Sequence, residues 1–431
     1  MINAEEWAAD WGRRLGGVIT DVERMVGGAS RETWALRLDG RPLVLRRDPP
    51  GALRAGAMSR EAALIRAAGA AGVPVPEVVA SGDDFIVMER LYGETIPRRI
   101  LRDEAFAGAR AKLTVQCAEA LARLHRTVQA IDGMPADDNP LASLRDVLDA
   151  FGEPHPALEL GFLRLAKTRP AATARTVVHG DFRLGNLMVD GGGLVGVLDW
   201  ELAHVGDPAE DLGWLCVPSW RFGGPAPVAG VGTREELLAA YAAAGGAPVD
   251  LETLSWWEAF GTLRWGVITV QQAVAHWSGA VRSVELAAIG RRTCEVERDL
   301  LDLLAPTTSA ATDATTAPHQ QRRTSGPHDR PTAGELLEAV REWLDGVALT
   351  GHDAFLQRVA SRALQIVERE LALGPDLAVR HTARLQQLGV ETDTELAAQI
   401  RAGRDSDDVV AAVRAAVIDK LRVADPRHLQ R

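Results

Sequence analysis

The feature that most constrains the fold of this 431-residue chain is a single break in composition between residues 305 and 330. This segment is rich in Ala, Thr, Pro and Ser and has no apolar periodicity. It therefore buries too little apolar surface to offset the entropy of ordering it. We predict a flexible linker over 305–330, which divides the chain into a long part, residues 1–304, and a tail, residues 331–431.

Composition limits the partners and the compartment of the protein. With 46% hydrophobic and 25% charged residues, the chain is typical of a globular protein with an ample core. The formal net charge of −11 argues against nucleic acid or an anionic membrane as the main partner, because both favour a basic surface. Three well-separated cysteines fit a reducing compartment. The start of the chain does not resemble a signal peptide, and no apolar run reaches about 20 residues, so we expect a cytoplasmic protein without a membrane span.

Apolar patterns predict a β-rich unit over residues 1–90. Three extended runs are separated by a glycine turn at 27–28 and a hairpin turn at 39–40. A helix is predicted over 59–71, and a short apolar strand over 85–88.

The rest of the chain is predicted to be mainly helical. Apolar residues at helical spacing predict a long helix over 110–130, and most of 234–304 follows the same pattern. Two short β-type runs interrupt it, one around residue 177 and one at 194–198. The tail has the same spacing, which predicts an all-helical unit of four or five helices.

The sharpest chemical signal is an ordered set of polar residues around these β runs. His179-Gly180-Asp181 is followed by Asn186 and, after a hairpin, by Asp199. Phosphoryl transfer needs a carboxylate that accepts the proton of the attacking hydroxyl, and oxygen ligands for magnesium on the nucleotide phosphates. We therefore predict Asp181 as the catalytic base and Asn186 and Asp199 as Mg²⁺ ligands. Asp, Asn and Gly are also common in turns, but turns alone do not explain the ordered set.

The segment 177–215, which contains HGDFRLGN and DWE, closely resembles the catalytic core of the aminoglycoside phosphotransferase (APH) superfamily. That superfamily includes choline and homoserine kinase-like enzymes, and the chain is most similar to the branch fused to, or encoded near, acyl-CoA dehydrogenases. The resemblance covers residues 1 to about 304. It implies an α+β, protein-kinase-like bilobal fold, with a β-rich N-lobe at 1–90, a helical C-lobe at 91–304 and ATP between them. An all-α domain at 331–431 follows.

The resemblance also implies which residues bind the nucleotide. Gly27, Gly28 and Ser30 match the glycine turn that lies over the phosphates, where backbone N–H groups can bind phosphate oxygens. Glu89 and Leu91 match the hinge that contacts adenine through backbone groups.

One position departs from the family pattern. Kinases use a strand lysine on the α- and β-phosphates, but the first lysine of this chain is Lys112. By register Arg46 takes that position, and arginine is a permanent cation that can bind phosphate through two nitrogens. Glu61 matches the glutamate that pairs with the strand cation. Arg47 is expected on the opposite face of the strand.

Several polar residues near the motif are expected to support it. His179 and His125 are predicted as structural residues, since kinases need no histidine base. Asp207 and Asp211 are expected to cap the following helix and brace the catalytic loop. Glu201 either approaches a second metal ion or braces the loop.

The acceptor is encoded more weakly. The resemblance implies an acceptor pocket among C-lobe helices within 215–285. The four arginines of this region favour an anionic or neutral acceptor over a polycationic aminoglycoside. The arginines are Arg221, Arg234, Arg264 and Arg282.

The leading hypothesis is an ATP-dependent phosphotransferase that moves the γ-phosphate to a hydroxyl of a small molecule. The branch implies a hydroxyacyl thioester or hydroxy acid as acceptor, and an aminoglycoside or choline-like alcohol is the alternative. A pseudokinase or nucleotide-binding scaffold is the alternative of another class, favoured only by arginine in place of lysine. ATP rather than GTP is implied by the family. For the tail, 331–431, we consider dimerisation or docking of a protein partner.

Overall fold

The computed structural model describes residues 4–25, 31–49, 56–306 and 333–430. Gly27, Gly28 and Ser30, and nearly all of the predicted linker, therefore lie outside the described residues. The described chain forms two compact units, each built from two separate stretches: Met1–Asp138 with Pro170–Gly261, and Asn139–Arg169 with Thr262–Arg431.

The strands belong to a five-stranded sheet and two small ribbons. The sheet has the order β1-β2-β3-β5-β4 with antiparallel neighbours, and the ribbons pair β6 with β9 and β7 with β8. Their bounds are β1 (Ile19–Arg24), β2 (Glu32–Leu38), β3 (Arg41–Arg47), β4 (Val78–Ser81), β5 (Phe85–Glu89), β6 (Thr176–Val178), β7 (Leu187–Asp190), β8 (Gly193–Val197) and β9 (His204–Gly206).

Most of the described chain outside these strands is helical. The α-helices are α1 (Ala4–Leu15), α2 (Ala57–Ala70), α3 (Pro97–Arg102), α4 (Ala107–Thr127), α5 (Pro140–Asp149), α6 (Pro156–Lys167), α7 (Ala209–Cys216), α8 (Arg234–Ala243), α9 (Leu251–Trp277), α10 (Val284–Gly290), α11 (Thr293–Leu304), α12 (Ala333–Gly346), α13 (Gly351–Gln387), α14 (Asp393–Arg401) and α15 (Asp407–Ala424). None of these helices is long and apolar enough to cross a bilayer.

The two faces of β3 serve different cores. Leu43 and Leu45 are buried in a cluster with Trp7 and Trp11 of α1, a helix that the sequence patterns did not predict. Side chains alternate along a strand, so Arg46 lies on the opposite face. It is aligned with Ile86 of β5, which belongs to the core shared with α2. The predicted hairpin turn at 39–40 is present, and both residues have positive φ values, as a type I′ turn requires.

The tail helices of the second unit share a core with earlier helices of the chain. Ala157 and Leu160 of α6 and Leu301 of α11 are buried in the same cluster as Leu385 and Val417 of the tail. The described residues of the tail, 333–430, form four α-helices, within the predicted range.

Ion pairs reinforce this shared core. Arg401 of α14 bonds to Asp149 at 2.6 Å and to Glu159 at 2.7 Å. Lys420 of α15 lies 3.1 Å from Glu297 of α11. Within the second unit, the tail therefore packs on helices from 139–169 and 262–306.

Candidate active site

The predicted catalytic loop follows β6 and is held by a carboxylate of α7. The backbone N–H groups of His179 and Gly180 donate to Asp211 at 2.7 and 2.9 Å. Gly180 has a φ of 77°, and a Cβ at this position would lie 2.4 Å from the Leu202 carbonyl oxygen. Only glycine fits such a backbone without strain. Asp211 thus braces the loop, as predicted.

Asp211 is itself part of a buried hydrogen-bonded chain. His125 of α4 bonds to Asp211 through Nε2 at 3.1 Å and to the Tyr241 hydroxyl of α8 through Nδ1 at 2.8 Å. Burial alone would raise the pKa of Asp211, but the hydrogen bond and charge of His125 hold that pKa below its ordinary value. The carboxylate therefore stays ionised while it accepts the loop N–H groups. Asp207 accepts from the Ala209 N–H at 2.9 Å and so caps α7.

Three side chains donate to the carboxylate of Asp181. Asn186 Nδ2 donates to Oδ2 at 2.6 Å and also to the Asp181 carbonyl oxygen at 3.0 Å. Trp214 Nε1 donates to Oδ1 at 2.8 Å, and Arg183 Nε donates to the same oxygen at 3.0 Å. The sequence reasoning did not foresee the bonds from Trp214 and Arg183, although Arg183 lies inside the motif.

The two predicted metal ligands have oxygen atoms suited to magnesium. The Nδ2 of Asn186 is used by Asp181, which leaves the amide oxygen for a cation. The Leu198 N–H donates to the backbone carbonyl oxygen of Asn186 at 2.8 Å. The next residue, Asp199, has a left-handed backbone conformation with φ 65°. The carboxylate of Asp199 is 36% exposed. One amide and one carboxylate, completed by phosphate oxygens and water, match the coordination that Mg²⁺ prefers.

Arg46 joins the sheet, α2 and the loop of Asp199. Its Nη1 donates to Glu61 at 3.0 Å and its Nη2 donates to Asp199 at 3.1 Å. The ion pair that the resemblance implied between Arg46 and Glu61 is therefore present. Arg47 points away from this pair and bonds to Glu32 of β2 at 2.7 Å.

A second arginine, Arg31, was missed by the sequence reasoning. Its side chain is only 3% exposed, and it bonds to Glu61 through Nη1 and to Asp48 through Nε at 3.2 Å. Glu201 lies 3.8 Å away. Burial lowers the pKa of Arg31, but Glu61 and the other carboxylates outweigh burial and raise it above its ordinary value. The position of an arginine directly after the glycine turn was the one signal available.

Around Arg31 and Arg46 the carboxylates outnumber the guanidinium groups. The four acidic residues of this cluster are Asp48, Glu61, Asp199 and Glu201. An excess of negative charge beside the oxygen ligands favours a bound cation. Among the residues that the structure describes, no group of three or more His, Cys, Asp or Glu side chains forms a metal site of its own.

The predicted hinge residues lie at the end of β5. The Glu89 N–H donates to the Glu77 carbonyl at 2.9 Å and is therefore not available to a nucleotide. The side chain of Leu91 lies over Gly196 of β8, where a Cβ would come within 2.7 Å of Leu91 Cδ1.

Two of the arginines that favoured an anionic acceptor serve another purpose. Arg221 and Arg234 both bond to Glu258, which is fully buried, at 2.7 Å. The hydrogen bond with Glu258 raises the pKa of Arg234. Both guanidinium groups therefore have a structural partner, although one carboxylate offsets only one of their two charges, and the anionic or neutral acceptor stays a prediction. Arg264 and Arg282 belong to the second unit.

Comparison with known protein families identifies both parts of the chain. The model of the family described as "Phosphotransferase enzyme family", APH, matches residues 21–260. A domain of unknown function, DUF6285, matches residues 347–428 of the tail.

Two curated relatives are named for acyl-CoA dehydrogenases. The chain is 32% identical over 208 residues to acyl-CoA dehydrogenase family member 10 of Mus musculus, and the alignment covers 44% of this chain and 20% of the relative. It is 28% identical over 246 residues to family member 11 of Homo sapiens, and that alignment covers 50% of this chain and 31% of the relative. The chain thus spans less than a third of either relative, and the predicted similarity to the dehydrogenase-associated branch is confirmed.

A solved structure shares the fold of the first part of the chain. A structure from Ralstonia eutropha, assigned as an aminoglycoside phosphotransferase, aligns with a TM-score of 0.55 and 23% identity over 70% of this chain and 98% of that one. The expected kinase-like α+β fold with additional C-terminal helices is therefore confirmed. Since the APH model matches more than half of its residues, the chain belongs to the phosphotransferase enzyme family.

Proposed function

We propose that this protein is an ATP-dependent kinase that transfers the γ-phosphate to a hydroxyl of a small molecule. The observation that supports it best is the meeting of Asp181, Asn186, Asp199 and Arg46 in one unit, each with defined hydrogen bonds. A base, two oxygen ligands and a phosphate-binding cation are the parts that phosphoryl transfer requires.

In this proposal Asp181 orients the acceptor hydroxyl and takes its proton. A carboxylate has about four lone-pair sites, and its three donors leave room for one more hydrogen bond. The donors hold the side chain in place before the acceptor arrives, which reduces the entropy lost in reaching the reactive geometry.

The nucleotide is bound from the other side of the site. Asn186 and Asp199 would hold Mg²⁺, which would supply positive charge to neutralise the phosphates. Arg46 contacts the phosphates while Glu61 keeps its guanidinium in position.

The backbone supplies the remaining nucleotide contacts. For the phosphates, the sequence resemblance favours Gly27, Gly28 and Ser30, which lie outside the described residues. Leu91 and the carbonyl of Glu89 contact adenine, since the Glu89 N–H is already used. Residues 1–90 thus act as the N-lobe and residues within 91–304 as the C-lobe.

For the acceptor we propose a hydroxy acid or hydroxyacyl thioester, by analogy with relatives named for acyl-CoA dehydrogenases. An aminoglycoside or choline-like alcohol is the second candidate, because the similar structure from Ralstonia eutropha is assigned as an aminoglycoside phosphotransferase.

The tail is proposed to complete the core of the second unit. Dimerisation or partner docking through 331–431 stays a prediction, and light scattering on the full chain tests the first of these.

The test of the proposed function is magnesium-dependent ADP release with a panel of hydroxylated acceptors. The panel contains hydroxyacyl-CoAs, free hydroxy acids, choline, homoserine, simple sugars and aminoglycosides. We expect acceptor-stimulated turnover, with kcat at least about a hundredfold lower in Asp181→Asn, because general-base catalysis is removed. Asp132→Asn, an exposed residue of the same unit, is the matched control.

Two other outcomes would contradict the proposal. Turnover that persists in Asp181→Asn would remove Asp181 as the base. If the wild type binds no ATP with magnesium and turns over no acceptor, the kinase proposal is wrong and the scaffold reading replaces it.

A further inference from the structure

Arg183 helps to hold the proposed base through its Nε, but the rest of its guanidinium group has no role in the function described so far. We infer that Arg183, whose guanidinium group lies over the Trp220 ring beside Asp181, forms a subsite for a carboxylate group on the phosphate acceptor. The inference rests on the proposed function, because it names the class of molecule that the same site accepts.

The guanidinium group of Arg183 has three close neighbours. Its Nε donates to Asp181 Oδ1 at 3.0 Å, and its central carbon lies 4.7 Å from the centroid of the Trp220 ring. A Cβ on Gly185 would lie 2.4 Å from Nη1, so a glycine is needed there to make room for the guanidinium. The bond to Asp181 and the Trp220 ring thus limit how the guanidinium group can turn.

Trp220 stands on a tightly held segment. Arg221 donates through Nε and Nη2 to the Cys216 carbonyl at 3.2 and 3.1 Å, and the Gly224 N–H donates to the Arg221 carbonyl at 2.7 Å. Phe222 adopts a left-handed conformation with φ 48°, which costs energy in a residue other than glycine. This strained residue lies beside the catalytic loop, because the Phe222 ring is close to Gly185.

The outer edge of the guanidinium remains available. Within the described part of the chain, Arg183 bonds to protein through Nε, and its two terminal nitrogens have no hydrogen-bond partner. The side chain is 25% exposed, so a ligand can reach it. Two parallel N–H groups in a fixed plane match the two oxygens of a carboxylate.

The position of Arg183 relative to Asp181 indicates that Arg183 contacts the acceptor rather than the nucleotide. Asn186, a proposed metal ligand, bonds to Oδ2 of Asp181, whereas Arg183 and Trp214 bond to Oδ1. The metal and phosphates belong on the Oδ2 side. Arg183 therefore lies on the side of the carboxylate away from the metal.

The geometry limits the length of the acceptor. With ordinary hydrogen-bond lengths, a hydroxyl on Asp181 and a carboxylate on the outer edge of Arg183 are roughly 5 to 7 Å apart. A short linear hydroxy acid spans this distance. A polycationic acceptor would instead be repelled by the guanidinium.

The experiment compares wild type, Arg183→Gln and Arg183→Lys on matched acceptors. These are linear hydroxy acids of increasing chain length, together with the diols and hydroxy amides of the same lengths. We expect Arg183→Gln to lower kcat/KM for the preferred acid by at least about tenfold relative to its diol, because charged hydrogen bonds are lost. KM for ATP should stay unchanged, and Arg183→Lys should recover part of the preference. Arg98→Gln, an exposed arginine of the same unit, is the matched control.

Calorimetric titration of the same acids and diols into protein with magnesium and a non-hydrolysable ATP analogue separates this inference from the proposed function. Arg183-dependent binding of the acids without turnover would uphold the subsite and contradict the kinase activity. Turnover with the same acid-to-diol ratio in wild type and Arg183→Gln would overturn the subsite and leave the kinase intact. A raised KM for ATP in place of a lost acid preference would move Arg183 to the donor phosphates and also overturn it.

Discussion

Glu61 in the first unit and Glu297 in the second are both almost fully buried, and each lies between two basic side chains. Glu61 bonds to Arg31 and Arg46. Glu297 lies 3.1 Å from Lys420 and 3.6 Å from His155. Burying a carboxylate is costly unless it is paired, so both sites meet the same physical requirement.

The two networks end in different places. In the first unit Arg46 continues to Asp199, whose carboxylate is partly exposed. Under the proposed function, a phosphate or metal ion that binds there would change the partners of Arg46 and Asp199. In the second unit the network connects α11 with Lys420 of α15, and it holds a tail helix to an earlier part of the chain. Similar ion pairs thus lie at the proposed nucleotide site in one unit and join helices in the other.

The largest effect that distinguishes the two networks is expected for Arg46→Met. Removing the cation that bonds to Glu61 and Asp199 should lower kcat/KM for ATP by about a hundredfold, since charge-assisted contacts to phosphate are lost. The thermal midpoint should change little, because Arg31 still pairs with Glu61. Steady-state kinetics and calorimetry on the same variant measure both quantities.

Arg46→Lys sharpens this prediction. Lysine keeps the charge but cannot bond to two carboxylates through two separate planar nitrogens, so we expect intermediate activity. If Arg46→Met lowered the thermal midpoint strongly and left kcat/KM unchanged, the contrast between the networks would be lost.

For Glu297→Gln we expect the reverse pattern. The free energy of unfolding should fall by about 2 kcal/mol, less than for a fully buried pair because Lys420 is half-exposed. Catalytic constants should remain at the wild-type level. Chemical denaturation of the full chain measures the first quantity, with the exposed Glu342→Gln in the same unit as control. A loss of activity without a loss of stability would place Glu297 in the functional network instead.

The smallest expected effect is the pH dependence of the contribution that Glu297 makes to the free energy of unfolding. Burial would raise the pKa of Glu297, but the charge of Lys420 and the proximity of His155 lower it from 4.5 to about 2. A carboxylate whose pKa is lower in the folded state stabilises the protein at pH values above its unfolded-state pKa. This stabilisation is lost as the pH falls through the folded-state pKa. The stability difference between wild type and Glu297→Gln should therefore shrink between about pH 4.5 and pH 2. Denaturation curves across this range that stay parallel would contradict the prediction.

Local sequence patterns were enough to predict much of the fold and the core of the candidate site. The hairpin at 39–40, the strand with Arg46 and the long helix α4 follow from periodicity and turn residues over short stretches. Asp181 and Asn186 lie five residues apart, and their hydrogen bond forms within one loop. Such features depend on neighbours in the chain, so spacing alone reveals them.

Contacts between residues that are far apart in the sequence could not be predicted from local patterns. Helix α1 was missed because its short amphipathic turns are stable only when Trp7 and Trp11 pack on the sheet. The assignment of Arg221 and Arg234 to Glu258 was equally hidden, since an arginine in a sequence does not reveal its partner.

By itself, the sequence determined the class of the fold and the order of the phosphotransferase motif, because both are written in residues close along the chain. Only the tertiary structure decided that Arg31 shares Glu61 with Arg46, that Trp214 and Arg183 hold Asp181, and that the tail packs on α6 and α11. The physical reason is that side-chain partners are selected by burial and charge balance in three dimensions, where residues far apart in the chain compete for the same carboxylate.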